Sequence, residues 1–396
     1  MVEAMRHLTS IRDLSIEEIE VLFVIADKMS RFLHQSHGVL AGYIMGSLFF
    51  EPSTRTRLSF ESAMNRLGGR VVTMADVKSS SVVKGESLAD SVRIVGSYSD
   101  ILVLRHPLQG AARAASLFSP VPVINAGDGG HEHPTQTLCD LYTLRHAKGR
   151  IEGLRVLLYG DLKYGRTTHS LAQALCRFGA DVLCVAEPGL ELPDSVRRAC
   201  TGVEGVTALD VDLRGGDVFG AAATQGLLLA TDPNRWPLRE GTLDVDALSA
   251  DALYVTRLQS ERLSATEEGL ERRLNPVDRA FLQHSGFEDA VVLHPLPRVD
   301  EIDHAVDRDP RGFYFKQAAL GVPIRMALVS FLLGREIMKA APPPAPPLLP
   351  PLPGEHCTQA DCVANVEGDY LEFQVLEDAA GERVCAFCDH PLAAAQ

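Results

Sequence analysis

Six apolar, strand-like runs in this chain each lead into a polar loop bearing Arg, His or both, and that repeated arrangement constrains the fold. GSLFF (46–50) leads into EPSTRTR, DILVL (100–104) into Arg105-His106-Pro107, and VPVIN (121–125) into AGDGGHEHPTQ. LRVLLY (154–159) leads into GDLKYGR, ALYVT (252–256) into Arg257-Leu258-Gln259, and AVVL (290–293) into HPLPR. Helical patterns alternate with these runs, which argues an α/β fold with parallel strands. Ligands of open parallel sheets bind outside the carboxyl ends of the strands. Six such loops therefore predict one anion-binding crevice. The 396 residues suffice for two or three domains. Two α/β halves are expected, split near residue 150, where Ala147-Lys148-Gly149-Arg150 ends a helical stretch. Residues 206–250 show no clean period and hold the one tryptophan, Trp236.

The chain's overall field cannot attract that anion. Acidic residues outnumber basic ones, 52 to 38, for a net charge of −14. A local basic pocket must do it, and neither nucleic acid nor an anionic membrane is an expected partner. No run reaches the roughly 18 uninterrupted apolar residues of a membrane span. The opening MVEAMRHLTSIRD has no apolar core of a secretory signal, so a cytoplasmic protein is expected.

Residues 341–353, APPPAPPLLPPLP, hold 8 of the 23 prolines and read as a semi-rigid linker. Beyond it, residues 354–396 form a separate small module. Cys357-x4-Cys362, then 22 residues, then Cys385-x2-Cys388 is a structural zinc pattern. His356 and His390 stand beside it as alternative ligands. The sequence between the pairs reads as a hairpin, with a strand at 370–376 and a turn near Gly381. A module of 43 residues could hardly bury a stable core without the metal. Nine acidic residues face one Arg in it, which argues against a zinc-ribbon nucleic-acid binder. Cys139, Cys176, Cys184 and Cys200 are scattered, so no disulfide scaffold is expected.

Ser53-Thr54-Arg55-Thr56-Arg57 follows a strand and opens an amphipathic helix. Free first-turn N–H groups, the helix dipole, hydroxyls and a guanidinium make a phosphate site there. Neither a G-x-x-x-x-G-K-[ST] nor a G-x-G-x-x-G segment occurs, which disfavours a nucleotide site. His131-Glu132-His133-Pro134-Thr135-Gln136 lies just before a helix and suits a His donating to a carbonyl oxygen better than a metal site. Arg166, after GDLKYG, and Arg257 with Gln259 suit bidentate recognition of carboxylates. Lys78–Ser87 is a small, polar loop, either a plain surface loop or a lid carrying a cation.

Together these segments resemble the aspartate carbamoyltransferase family. The matching stretches are FFEPSTRTRLSFESAMNRLGG, KGESLADS, LRHPLQGAAR, INAGDGGHEHPTQTLCDL, GDLKYGRTTHSLAQAL, YVTRLQSER and LHPLPRVDEI, in family order over most of 40–335. The related ornithine enzymes typically carry His-Cys-Leu-Pro late in the chain, where this chain has His294-Pro295-Leu296-Pro297. The resemblance implies two doubly wound parallel-sheet domains plus the small C-terminal zinc-bound β module. A carbamoyl-phosphate domain would span 1–150 and an aspartate domain 151–340.

The resemblance also implies roles. Ser53, Thr54, Arg55 and Thr56 would hold the phosphate of carbamoyl phosphate. Arg105, His133 and Thr56 would polarise its carbonyl. Gln136 and the backbone carbonyl of Leu296, beside Pro297, would orient the carbamoyl amide. Arg166, Arg257 and Gln259 would grip L-aspartate. Ser80 and Lys84 would reach a neighbouring subunit's site, implying a homotrimer or a multiple of trimers. The reaction would belong to pyrimidine biosynthesis and need no catalytic cofactor. The competing expectation is an inactive homologue that scaffolds another enzyme of that pathway. The tail resembles the zinc domain of the family's separate regulatory chain, here fused. Its zinc is expected to be structural, and the catalytic body is expected to stay folded without it. The spacing from Arg166 to Arg257 exceeds the family's usual one by roughly two to three dozen residues, a length loops absorb at modest entropy cost.

Overall fold

The computed structural model describes residues 5–31, 33, 38–74, 84–215, 217–263, 274–334, 343, 346–368 and 370–393. Its contacts divide the chain into two units, residues 1–139 with 319–396 and residues 140–318. Both divisions fall inside helices, Pro134–Lys148 and Tyr314–Leu332.

The first unit is built on strands β1 (Ile44–Phe49), β2 (Arg70–Met74), β3 (Ile101–His106) and β4 (Val123–Asp128). They lie in the order β2-β1-β3-β4, all parallel. β3 and β4 are buried along almost their whole length, as strands of a sheet covered on both faces are. Helices Thr54–Arg66 and Ala111–Phe118 each begin within a few residues of a strand's carboxyl end. The polar loops after β1, β3 and β4 are therefore at one edge of the sheet.

The second unit holds β5 (Arg155–Gly160), β6 (Asp181–Ala186), β7 (Thr207–Arg214), β8 (Gln225–Ala230), β9 (Leu238–Arg239), β10 (Thr242–Asp244), β11 (Ala252–Val255) and β12 (Val291–Leu293). Their order is β12-β11-β5-β6-β8-β7-β10-β9. β12, β11, β5 and β6 are parallel, as expected, and their apolar side chains fill a core around Tyr159, Phe219, Phe281 and Phe287. The stretch without a readable period supplies the rest. β8 runs antiparallel to both β6 and β7, which makes the sheet mixed on that side. Trp236 is buried there, and its Nε1–H donates to Asp181 Oδ2 at 3.3 Å.

The tail adds β13 (His356–Cys357), β14 (Val375–Glu377), β15 (Arg383–Cys385) and β16 (Leu392–Ala393), paired β13–β16 and β14–β15. The expected strand at 370–376 is shorter and lies at Val375–Glu377, while Leu371 joins a buried cluster outside it. The turn is where Gly381 was expected to make it, with φ 82°. The second half of the proline run lies against this hairpin. Leu349 N donates to Val375 O at 2.8 Å and Arg383 Nη2 to Pro350 O at 2.7 Å.

The module packs on the first unit through one continuous apolar cluster. Cys357, Cys362, Val363, Leu371 and Phe387 share it with Leu88, Val92, Leu104, Ala111 and Ala115. Gly110, with φ 77°, permits this closeness: a Cβ there would stand 2.5 Å from the Phe387 carbonyl oxygen. Among the described residues, one helix, Tyr314–Leu332, is long and apolar enough to cross a membrane, and most of it is buried inside the protein.

Candidate active site

In the first unit, β1 delivers the chain into helix Thr54–Arg66 with Ser53 at the N-cap position. The Ser53 hydroxyl makes no capping bond. The first-turn N–H groups thus keep the anion-binding character of a helix start. Of the two arginines in the motif, Arg57 lies 3.8 Å from Glu61 one turn on, while Arg55 is exposed in the first turn. Thr56 is buried, with Oγ1 3.5 Å from His133 Nε2. His133 comes from the loop after β4, and its Nδ1 lies 3.3 Å from Thr135 Oγ1. Gln136 occupies the first turn of the helix that follows, its N–H bonded to His133 O at 2.9 Å. Arg105 is next to last in β3, with Nε 3.1 Å from Glu51 and Nη1 3.5 Å from Ala126 O. Three strand-end loops of one sheet therefore bring hydroxyls, a guanidinium, a helix start and an imidazole into one unit. Lys84 is exposed. Ser80 lies outside the described residues.

The second unit carries the other candidate residues. Arg166 is buried at the start of helix Arg166–Arg177. Arg257 grips Glu261 with both terminal nitrogens, a pairing that raises its pKa further. Gln259 lies two residues on, and its N–H donates to Asp161 Oδ2 at 3.0 Å. Leu296 has φ 54° and precedes a cis bond to Pro297. Its N–H donates to His294 Nδ1 at 2.7 Å, which leaves the ring proton on Nε2, 2.7 Å from Glu301. A buried chain holds this loop from behind. His294 N donates to Gln317 Oε1 at 2.9 Å, Gln317 Nε2 to Asp140 Oδ1 at 2.6 Å, and Tyr254 Oη to Asp140 Oδ2 at 2.9 Å.

In the tail, the Sγ atoms of Cys357, Cys362, Cys385 and Cys388 all lie within 4.8 Å of one another, and all four residues are buried. The pairs Cys357–Cys388 and Cys362–Cys385 stand 3.4 and 3.8 Å apart. Zinc–sulfur bonds of about 2.3 Å in a tetrahedron require about 3.8 Å between sulfurs, so the cage fits a metal of that size. Gln359 N also points at Cys357 Sγ, 3.4 Å away. His356 is exposed and turns to Gly354 O, so the four sulfurs form the cluster without it.

Two family models match the chain. "Aspartate/ornithine carbamoyltransferase, carbamoyl-P binding domain" covers residues 6–146, and "Asp/Orn binding domain" of the same family covers 238–332. The aspartate carbamoyltransferase catalytic subunit of Thermoplasma acidophilum is 45% identical over 338 residues, 83% of this chain and 98% of that protein. The chain belongs to the aspartate/ornithine carbamoyltransferase family. The solved catalytic subunit of Methanocaldococcus jannaschii aspartate transcarbamoylase superposes at TM-score 0.67 with 41% identity, covering 83% of this chain and 98% of its own. Aspartate transcarbamoylase from Trypanosoma cruzi, in complex with carbamoyl phosphate and aspartate, superposes at 0.68 with 35% identity, covering 82% and 95%.

Sequence reading of this carbamoyltransferase missed Asp161. It is fully buried. Oδ1 accepts the N–H groups of Lys163 and Tyr164, at 3.1 and 2.9 Å, and Oδ2 accepts that of Gln259. One carboxylate thus ties the Arg166 loop to the Arg257–Gln259 loop. Burial raises its pKa, and the three N–H donors and Arg257 oppose the rise. Neighbouring Gly160, φ 119°, allows β5 and β11 to approach at this point, since a Cβ would meet Thr256 O at 2.3 Å. An Asp directly after a strand-ending Gly was the available signal. Asp161→Ala is expected to raise KM for aspartate at least tenfold while KM for carbamoyl phosphate stays within about twofold. Steady-state kinetics with each substrate varied in turn checks this.

Proposed function

We propose that the chain transfers the carbamoyl group of carbamoyl phosphate to the α-amine of L-aspartate, giving N-carbamoyl-L-aspartate and phosphate. The observation that carries the reading is Thr56 at the first turn of the Thr54–Arg66 helix, 3.5 Å from His133. Phosphate ligands and a carbonyl-directed imidazole thereby share one place. In this reading Ser53, Thr54, Arg55 and Thr56 bind the phosphate, while Arg105, His133 and Thr56 draw charge onto the carbonyl oxygen. Gln136 and the Leu296 carbonyl hold the amide. The amine nitrogen bonds to the carbonyl carbon, the C–O bond to phosphate breaks, and the amine gives up a proton. Orientation and fixed positive charge carry the reaction.

Arg166, Arg257 and Gln259 hold the aspartate carboxylates. Supporting aspartate over ornithine are the names of the relatives and the His-Pro-Leu-Pro segment. The reaction places the chain in pyrimidine biosynthesis. The four-cysteine cage holds a structural zinc.

The active unit is a trimer, with Lys84 and Ser80 completing a neighbour's site. Exposed Lys84 supports this. Mixing inactive Lys84→Ala chains with inactive Arg55→Ala chains is expected to restore activity, because hybrid trimers regenerate intact sites. Absence of recovery after demonstrated subunit exchange would overturn shared sites.

A further inference from the structure

Beside the apolar cluster, the tail makes polar contacts with the two loops that carry Arg105 and His133. In each of these loops the contact includes an aspartate adjacent to a cage cysteine. Asp361 precedes Cys362, and Asp389 follows Cys388. Four residues beyond Arg105, Gln109 donates its backbone N–H to Asp361 O at 3.0 Å and its Nε2 to Asp361 Oδ1 at 3.0 Å. Val363 N returns a bond to Gln109 O at 2.9 Å. Two residues before His133, His131 Nε2 lies 3.2 Å from Asp389 Oδ2, and Arg12 pairs with the same oxygen.

Asp128 joins the two loops from beneath. Its Oδ2 accepts Gly110 N at 2.9 Å and lies 3.2 Å from His131 Nδ1, and its Oδ1 accepts Glu132 N at 3.1 Å. Arg12 also reaches to 3.6 Å from Glu132 Oε1. That guanidinium already serves Glu132 and Asp389, so the group His131, Glu132 and Asp389 is an ion-pair cluster and not a second metal site.

The cage turn sets where Asp389 stands. Asp389 has φ 59°, its N–H donates to Cys385 O at 2.9 Å, and Cys385 N donates to His390 O at 2.9 Å. We propose that Asp361 and Asp389 are positioning residues through which the folded cysteine module holds the Arg105 and His133 loops in register for carbonyl polarisation. The proposal rests on the roles given above to Arg105 and His133. It makes the tail a support of the catalytic loops and not a passive appendage. A loop displaced by even 1 Å loses on the order of a hundredfold in rate, so a modest loosening is measurable.

The test compares full-length wild type, Asp389→Ala, Asp389→Asn, His131→Ala and the double variant His131→Ala/Asp389→Ala. The readouts are zinc content, hydrogen–deuterium exchange of the peptide spanning Ala126–Thr135, and steady-state kinetics. Asp389→Ala is expected to keep its zinc, exchange faster in that peptide and lose about tenfold in kcat, with KM for carbamoyl phosphate changed less than threefold. Asp389→Asn keeps an acceptor for His131 and should recover part of the loss. The double variant should fall well short of additivity, because both changes break the His131 link and only the Arg12 link is lost with Asp389 alone. Wild-type exchange in zinc-loaded Asp389→Ala overturns the proposal, as do fully additive effects in the double variant. Wild-type kcat in His133→Ala and Arg105→Ala would instead remove the roles on which the proposal rests, and the exchange result would still report whether Asp389 orders the loop.

Discussion

Arg55→Ala is expected to lower kcat about a thousandfold, the size of effect seen when a preorganised donor to a developing anion is removed. Arg55 stands exposed in the first turn of its helix, where its charge adds to that of the helix start. Negative charge grows on the departing phosphate in the transition state, so the loss falls on kcat and not on KM for aspartate. Alanine is a good helix former, and the exposed position leaves no cavity. Unfolding curves should therefore overlay those of the wild type. A variant within tenfold of wild type would remove Arg55 from the phosphate site.

Cys385→Ser, or chelation, is expected to unfold the tail and to destabilise the first unit with it. Cys385 is fully buried, and the cage sets the turns on which Phe387 and Val363 sit. Those two side chains fill a cluster with Leu104, Ala111 and Ala115. Exposing them costs about 4 kcal/mol at roughly 2 kcal/mol each. At about 2–4 °C per kcal/mol for a unit of this size, the melting temperature of the first unit should fall by on the order of 10 °C. The sequence alone led to the expectation that the body stays folded without the zinc; the shared cluster adds that it should then be less stable. Calorimetry of the zinc-loaded and chelated protein, with zinc added back, checks it. Loss of tail protection from proteases with no shift in the first unit's melting would contradict the account.

The strands that carry the site were readable because they are central and nearly all apolar. LRVLLY became β5, and ALYVT became β11, within a residue or two at each end. The meeting of the four cysteines was readable from their short paired spacings. Residues 206–250 were not, because short strands at the antiparallel side of a sheet have one wet face and no long apolar run. β7 has only Val211 buried along its length. Asp161 and Asp389 escaped notice for another reason. Each acts on groups distant in sequence: Asp161 on Gln259, 98 residues away, and Asp389 on His131, 258 residues away. Spacing along a chain does not reveal such partners. Docking of the tail has the same origin, since Gln109 and Asp361 are 252 residues apart.

In the proposed reaction two arginines and a glutamine choose the acceptor of the carbamoyl group. The most direct measurement is kcat/KM for release of phosphate from carbamoyl phosphate, with L-aspartate and with L-ornithine as acceptors. Aspartate should be preferred by at least a thousandfold, since ornithine offers one carboxylate and a cation where the proposed roles of Arg166 and Arg257 call for two carboxylates. N-carbamoyl-L-aspartate should form in step with the phosphate. Turnover with ornithine and none with aspartate would contradict the account.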